Sequence, residues 1–137
     1  MITTDLEEKL KVATKCFWID QDNLDHQISI EEGMFIAAEG KYTVKFEGLD
    51  YMFPQISETA SIHCYISPKD APSFPPHRDP YAVIIYVLEG TKSIEIEGKE
   101  QYVVEGCDVL IPPNVLHRAT NKHDSIILSL GFEDGLE

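Results

Sequence analysis

The chain of 137 residues, 43% of them hydrophobic, has the size and apolar content of one compact domain with a single sizeable core. Eleven Lys and Arg against 24 Asp and Glu give a formal net charge of -13, which repels phosphate backbones and anionic lipid headgroups and argues against nucleic-acid or membrane-surface partners. Cys16, Cys64 and Cys107 offer neither a CxxC pair nor an even disulfide framework, the start MITTDLEEKLKVATK is charged, and no run reaches the ~18 apolar residues of a spanning helix, so a soluble cytoplasmic protein is expected.

Residues 4–17 read as a helix, with Leu6, Leu10, Ala13 and Phe17 at near-helical spacing and Thr4 and Glu7 in the T-x-x-E pattern of a capping box. Beyond residue 26 the pattern turns to short runs of Ile, Val, Tyr and Phe broken by Gly, Pro and Asn clusters. The expected strands are 27–30, 34–38, 41–46, 60–66, 80–89, 92–97, 100–104, 107–112 and 124–132. Their count and spacing predict an all-β antiparallel barrel or jelly roll spanning 1–137 as one domain, with 1–18 as an N-terminal helical extension. The Pro-rich segment 68–76 is unsuited to a ladder and acts as a ramp that delivers His77 and Asp79 to the head of an apolar strand.

Strand alternation puts His77, Asp79, Tyr81, Val83 and Ile85 on one face. In TKSIEIE, Ile94 and Ile96 face the core and Thr91, Ser93, Glu95 and Glu97 face water, which turns Lys92 inward. A buried ammonium needs an anion unless it lies near enough to the strand end to snorkel. Farther on, EGCDVLIPPNVLHRATN brings His117 after a strand and a PPN turn, on the parity of Cys107, Val109 and Ile111 if the turn adds no residue. Two histidines and one aspartate suit a metal whose protein ligands fill one face of an octahedron, as in non-haem Fe(II) oxygenases. The same trio suits Zn(II) or Mn(II) with water in the remaining position.

The stretches PPHRDPYAVIIYVLEGTK and VEGCDVLIPPNVLHRATN resemble the two motifs of the cupin superfamily and, within it, Jumonji C (JmjC)-type and factor-inhibiting-HIF-like 2-oxoglutarate oxygenases. In the first motif the usual second histidine is Asp79, the usual glutamate is Val83 and the closing glycine is Gly90. The second motif is met by Gly106, Pro112, His117 and Asn121, with Asn114 in place of its middle glycine. The resemblance covers about residues 60 to 132 and implies a cupin double-stranded β-helix with a short N-terminal helix. It further implies an enzyme, an Fe(II)/2-oxoglutarate-dependent dioxygenase of hydroxylase type, in which His77, Asp79 and His117 bind Fe(II), with Mn, Zn or Ni as alternative metals. Lys92 would grip the distal carboxylate of 2-oxoglutarate. The substrate would be a small molecule or a protein, and association as a homodimer follows the habit of small cupins. Family members often carry Thr or Ser where this chain has Phe74, and a polar residue where it has Val83.

Tyr81 shares the inward face and has a hydroxyl within reach of a cofactor, although core packing is its plainer role. His63 reads as a surface residue, opposite in parity to Ile62, Cys64 and Ile66; His26 and His123 read as solvated, and Cys107 as a small buried side chain. Arg78 and Arg118 face away from the ligands they follow. Two further function classes remain open: a metal-dependent cupin isomerase, lyase or dioxygenase that takes its acidic substrate directly on the metal, and a non-enzymatic small-ligand binder.

Overall fold

The structure is a computed structural model and describes residues 3–49, 61–73 and 75–132. In chain order it runs α1 (Thr4–Leu10), β1 (Lys15–Ile19), β2 (Asp25–Ile28), α2 (Ile30–Glu39), β3 (Val44–Glu47), β4 (Ser61–Ser67), β5 (Ala82–Ile96), β6 (Lys99–Val104), β7 (Asp108–Ile111), β8 (His117–Thr120) and β9 (Ser125–Phe132). Every strand pairing is antiparallel, and the order β2-β1-β3-β4-β9-β5-β6, with β7 and β8 also on β5, is that of the cupin jelly roll.

One long strand joins two sheets. The first half of β5 pairs with β7 and β9, and its second half, from Thr91, pairs with β6 and β8. The sequence pattern splits this run at residues 90–91 because glycine ordinarily marks a turn. Here Gly90 is a corner instead: the register with β9 slips between Val87 and Glu89, and Gly90 takes φ 78. A side chain at 90 would run into the carbonyl oxygen of Asp124, so neither conformation nor space admits one.

The N-terminal third departs from the sequence reading. Helix α1 ends at Leu10, capped by the Thr3 hydroxyl, which accepts from Leu6 N at 3.2 Å, and residues 15–17 belong to β1. Cys16 and Phe17 alternate across a strand paired on both sides by β2 and β3, and this ladder overrides their near-helical spacing to Leu6 and Leu10. Strands expected at 27–30 and 34–38 are β2 and the helix α2. The latter carries a full capping box between Ser29 and Glu32 and a left-handed Gly40 at its end, signals present in the sequence but outweighed by its Ile and Phe spacing. Gly33 brings α2 close to β1, since a Cβ there would strike Cys16 Sγ.

Two cores result. Leu10, Cys16, Ala37, Phe46, Ile62, Cys64, Ile126 and Leu128 pack where the helices cover the outside of the larger sheet. Val83, Ile85, Val87, Ile94, Val103, Ile111 and Ile127 fill the barrel between the sheets. No helix among the described residues is long and apolar enough to cross a membrane. Replacing Gly90 with Ala is expected to destabilise the fold by at least about 2 kcal/mol, read as a lowered midpoint in denaturant unfolding, because it adds both positive-φ strain and a clash with backbone.

Candidate metal centre

The Pro-rich ramp and the PPN turn deliver their histidines to each other. His77 N donates to His117 O at 3.0 Å and His117 N to His77 O at 2.9 Å, a reciprocal antiparallel bridge that sets the two imidazole centroids 4.4 Å apart. Asn114 occupies the tight turn at φ 63, and its N–H donates to Asp79 O at 2.7 Å. Asparagine therefore does the work of the glycine usual at this place, and the turn adds no residue that would rotate His117 out of register.

Both rings are oriented by their outer nitrogens. His77 Nδ1 faces Pro75 O at 3.2 Å and His117 Nδ1 faces Val115 O at 2.9 Å, contacts that place the ring proton on Nδ1 and leave each Nε2 lone pair free. The two Nε2 atoms lie 3.6 and 3.3 Å from Asp79 Oδ2, and the three donor atoms fall within 4.8 Å of one another. This convergent nitrogen, nitrogen and carboxylate-oxygen set fits a divalent first-row metal, for which donors on one face of an octahedron stand about 3 Å apart. His117 is 6% exposed, whereas the His77 side chain is 47% and that of Asp79 24% exposed, so the group sits at the mouth of the barrel with its open side toward the interior.

That interior is a cavity of about 230 Å³ lined by the triad, Tyr81, Val83, Ile85 and Lys92, as strand parity predicts. Lys92 is 3% exposed, with Nζ donating to Asn121 Oδ1 at 2.7 Å. It does not snorkel. Burial lowers its pKa from 10.5 to about 8, and among the described residues no carboxylate offsets this. Lys45, the second cavity lysine, is differently placed: it pairs with Glu47 at 2.9 Å and Asp25 at 3.9 Å and lies over the Phe17 ring at 4.7 Å. Tyr81 lines the cavity against Gly131, where a Cβ would come within 3.1 Å of its ring.

Several side chains lie elsewhere than the sequence predicts. His63, expected at the surface, faces the cavity beside Tyr65, because Ile62, Cys64 and Ile66 are buried beneath the helices rather than inside the barrel. Burial pushes the Tyr65 phenol well above its ordinary range. Ser93 is fully buried, not solvated: β6 and β8 flank it on both sides, and its Oγ lies 2.6 Å from Thr120 Oγ1. Cys107 is exposed, at the turn before β7. His26 is exposed, as expected, but lies in strand β2 rather than in a loop, where it bonds Asp20 at 2.6 Å and stacks on Trp18. Phe74 lies outside the described residues. Thr43 and Asn121 also line the cavity; Asn121 carried a motif position but no assigned role, and Thr43 no signal at all.

Residues 64–130 match the family model described as a cupin domain. Together with the jelly-roll topology this gives the chain a cupin jelly-roll fold. Among solved structures, YcfD, a ribosomal oxygenase from Escherichia coli in complex with cobalt and succinic acid, superposes with a TM-score of 0.71 over 96% of this chain and 44% of its own, at 15% identity. The YcfD complex with cobalt and 2-oxoglutarate gives a TM-score of 0.66 over 96% and 44%, at 14% identity. An RmlC-like cupin from Shewanella frigidimarina gives 0.53 over 65% and 74%, at 16% identity. The chain thus spans less than half the length of YcfD, and at these identities the likeness establishes the fold. No curated protein sequence matches the chain.

Replacement of His117 by Ala is expected to weaken Mn(II) or Co(II) binding at least about 100-fold while one ion per chain binds the unaltered protein, as measured by metal titration and elemental analysis.

Proposed function

We propose that this cupin is a non-haem Fe(II), 2-oxoglutarate-dependent oxygenase of the JmjC-like kind, acting as a hydroxylase. The observation that carries the reading is the pairing, within one cavity, of a convergent His-His-Asp donor set with a buried lysine that has no carboxylate partner among the described residues. His77, Asp79 and His117 would hold the metal, which when bound would supply the activation of dioxygen for oxidation of a substrate C–H bond.

The chain's own residues do the rest by binding and orienting. With His77, Asp79 and His117 at one end of the cavity, the space beside them would be left free for a 2-oxo acid to bind. The Lys92 ammonium would pair with the distal carboxylate, which gives this buried charge the partner it lacks. Val83 and Ile85 keep the wall between them apolar, and the exposed His77 side marks the mouth through which a small-molecule or protein substrate would approach. The likeness of the fold to YcfD, whose complexes contain cobalt with 2-oxoglutarate or succinic acid, supports the reading.

A second reading has the acidic substrate itself ligate the metal, as an isomerase, lyase or direct-substrate dioxygenase would require. It is favoured by Val83, 6% exposed on the cavity wall where a polar residue is usual in the 2-oxoglutarate enzymes. Calorimetric titration of the Mn(II)-loaded protein separates the two. Lys92→Met is expected to abolish measurable 2-oxoglutarate binding and leave metal affinity within about threefold, since it removes a charge-assisted contact remote from the donor atoms. Unchanged 2-oxoglutarate affinity in this variant would remove Lys92 from the site.

The pH dependence has a definite sign. Because the buried ammonium loses its proton near pH 8, 2-oxoglutarate affinity is expected to hold from pH 6.5 to 7.5 and to fall by about tenfold per unit well above pH 8. Titrations at several pH values check this.

A further inference from the structure

Lys92 does not stand alone at the inner end of the cavity. Its ammonium has three protons, of which the contact to Asn121 Oδ1 uses one. The orientation of the Asn121 amide follows from its surroundings: Nδ2 donates to Ala71 O at 3.0 Å, Pro72 O at 3.3 Å and Thr43 Oγ1 at 3.4 Å. The flipped amide would set its NH2 against the ammonium and its oxygen against two carbonyls, so charge and hydrogen bonding both forbid it. Thr43 Oγ1 is therefore an acceptor for Asn121, which leaves its own O–H proton to donate elsewhere. Thr43 is 3% exposed, Asn121 8%, and both line the cavity that holds Lys92.

Resting on the reading of Lys92 as an anion anchor, we infer that Thr43 and Asn121 complete its carboxylate seat: Thr43 donates a second hydrogen bond to the carboxylate that Lys92 holds, and Asn121 is the positioning residue that fixes both donors. The seat takes a carboxylate because two converging donors, one of them charged, match its two oxygens. The hydroxyl is offered from Thr43, just ahead of β3. Asn121 ties Lys92 and Thr43 together, since the same side-chain amide that holds them also holds the ramp at Ala71 and Pro72, and the Asn121 backbone carbonyl accepts from Asp70 N at 2.7 Å.

The test is calorimetric titration of the full Mn(II)-loaded chain with 2-oxoglutarate and, separately, succinate, for the unaltered protein and for Thr43→Val, Thr43→Ser and Asn121→Asp. Thr43→Val keeps the shape and removes the hydroxyl, so affinity is expected to fall about tenfold or more, and Thr43→Ser to restore it to within about threefold. A packing role would not give that rescue. Asn121→Asp places a carboxylate against the ammonium and is expected to weaken both acids at least about 100-fold with the metal affinity retained, and to lower the melting temperature because its second oxygen meets the Ala71 and Pro72 carbonyls. Equal affinity in Thr43→Val and the unaltered protein, or no rescue by Ser, overturns the seat while leaving the 2-oxoglutarate reading in place. Succinate binding that is lost in Thr43→Val, in a protein that ignores 2-oxoglutarate, keeps the seat and overturns that reading. A protein that binds neither acid overturns both.

Discussion

The site depends on a two-residue backbone bridge. His77 and His117 lie 40 positions apart in sequence, one after a proline-rich ramp and the other after a tight turn, and each gives its N–H to the carbonyl of the other. Reciprocal bonding of this kind fixes register, and in a strand a slip of one residue would swing an imidazole to the opposite face. The left-handed Asn114 and its N–H bond to the Asp79 carbonyl hold the third donor in the same frame. Loops ordinarily carry functional groups at the expense of precision; here a short ladder between two loops removes that penalty.

Among the described residues, polarity in the cavity is arranged around one charge without a carboxylate partner. Lys45 is offset by Glu47 and Asp25, whereas Lys92, more deeply buried, has an amide oxygen for company. An ammonium without an anion in such surroundings lowers stability, and its depressed pKa expresses that burden. Folded proteins carry such strain where a ligand relieves it, so the charge, the cavity and the metal donors belong to one account. Gly90 serves the same end, because only the corner it makes carries Lys92 into the second sheet, opposite the apolar wall of the first.

The donor set and the inward lysine were legible because they rest on alternation along single strands, which the chain reports directly: His77, Asp79, Tyr81, Val83 and Lys92 all line the cavity as parity requires. What covers each face was not legible. His63 reads as a surface residue because its neighbours Ile62, Cys64 and Ile66 are apolar, yet those neighbours pack under helices and His63, with Tyr65, faces the barrel. The same gap hid Ser93, buried by flanking strands, and Thr43, whose place depends on α2 having been recognised as a helix. The capping box at Ser29 and Glu32 with Gly40 was the available signal for α2, and a rule that weighs caps above short apolar spacing would have found it.

The account's central claim is that the metal donors and Lys92 act on one and the same 2-oxo acid. The most direct measurement is an anaerobic titration of the Fe(II)-loaded protein with 2-oxoglutarate, following the visible metal-to-ligand charge-transfer absorption. The account predicts a band that grows and saturates at one 2-oxoglutarate per chain. No band, with iron bound at one per chain, would contradict it.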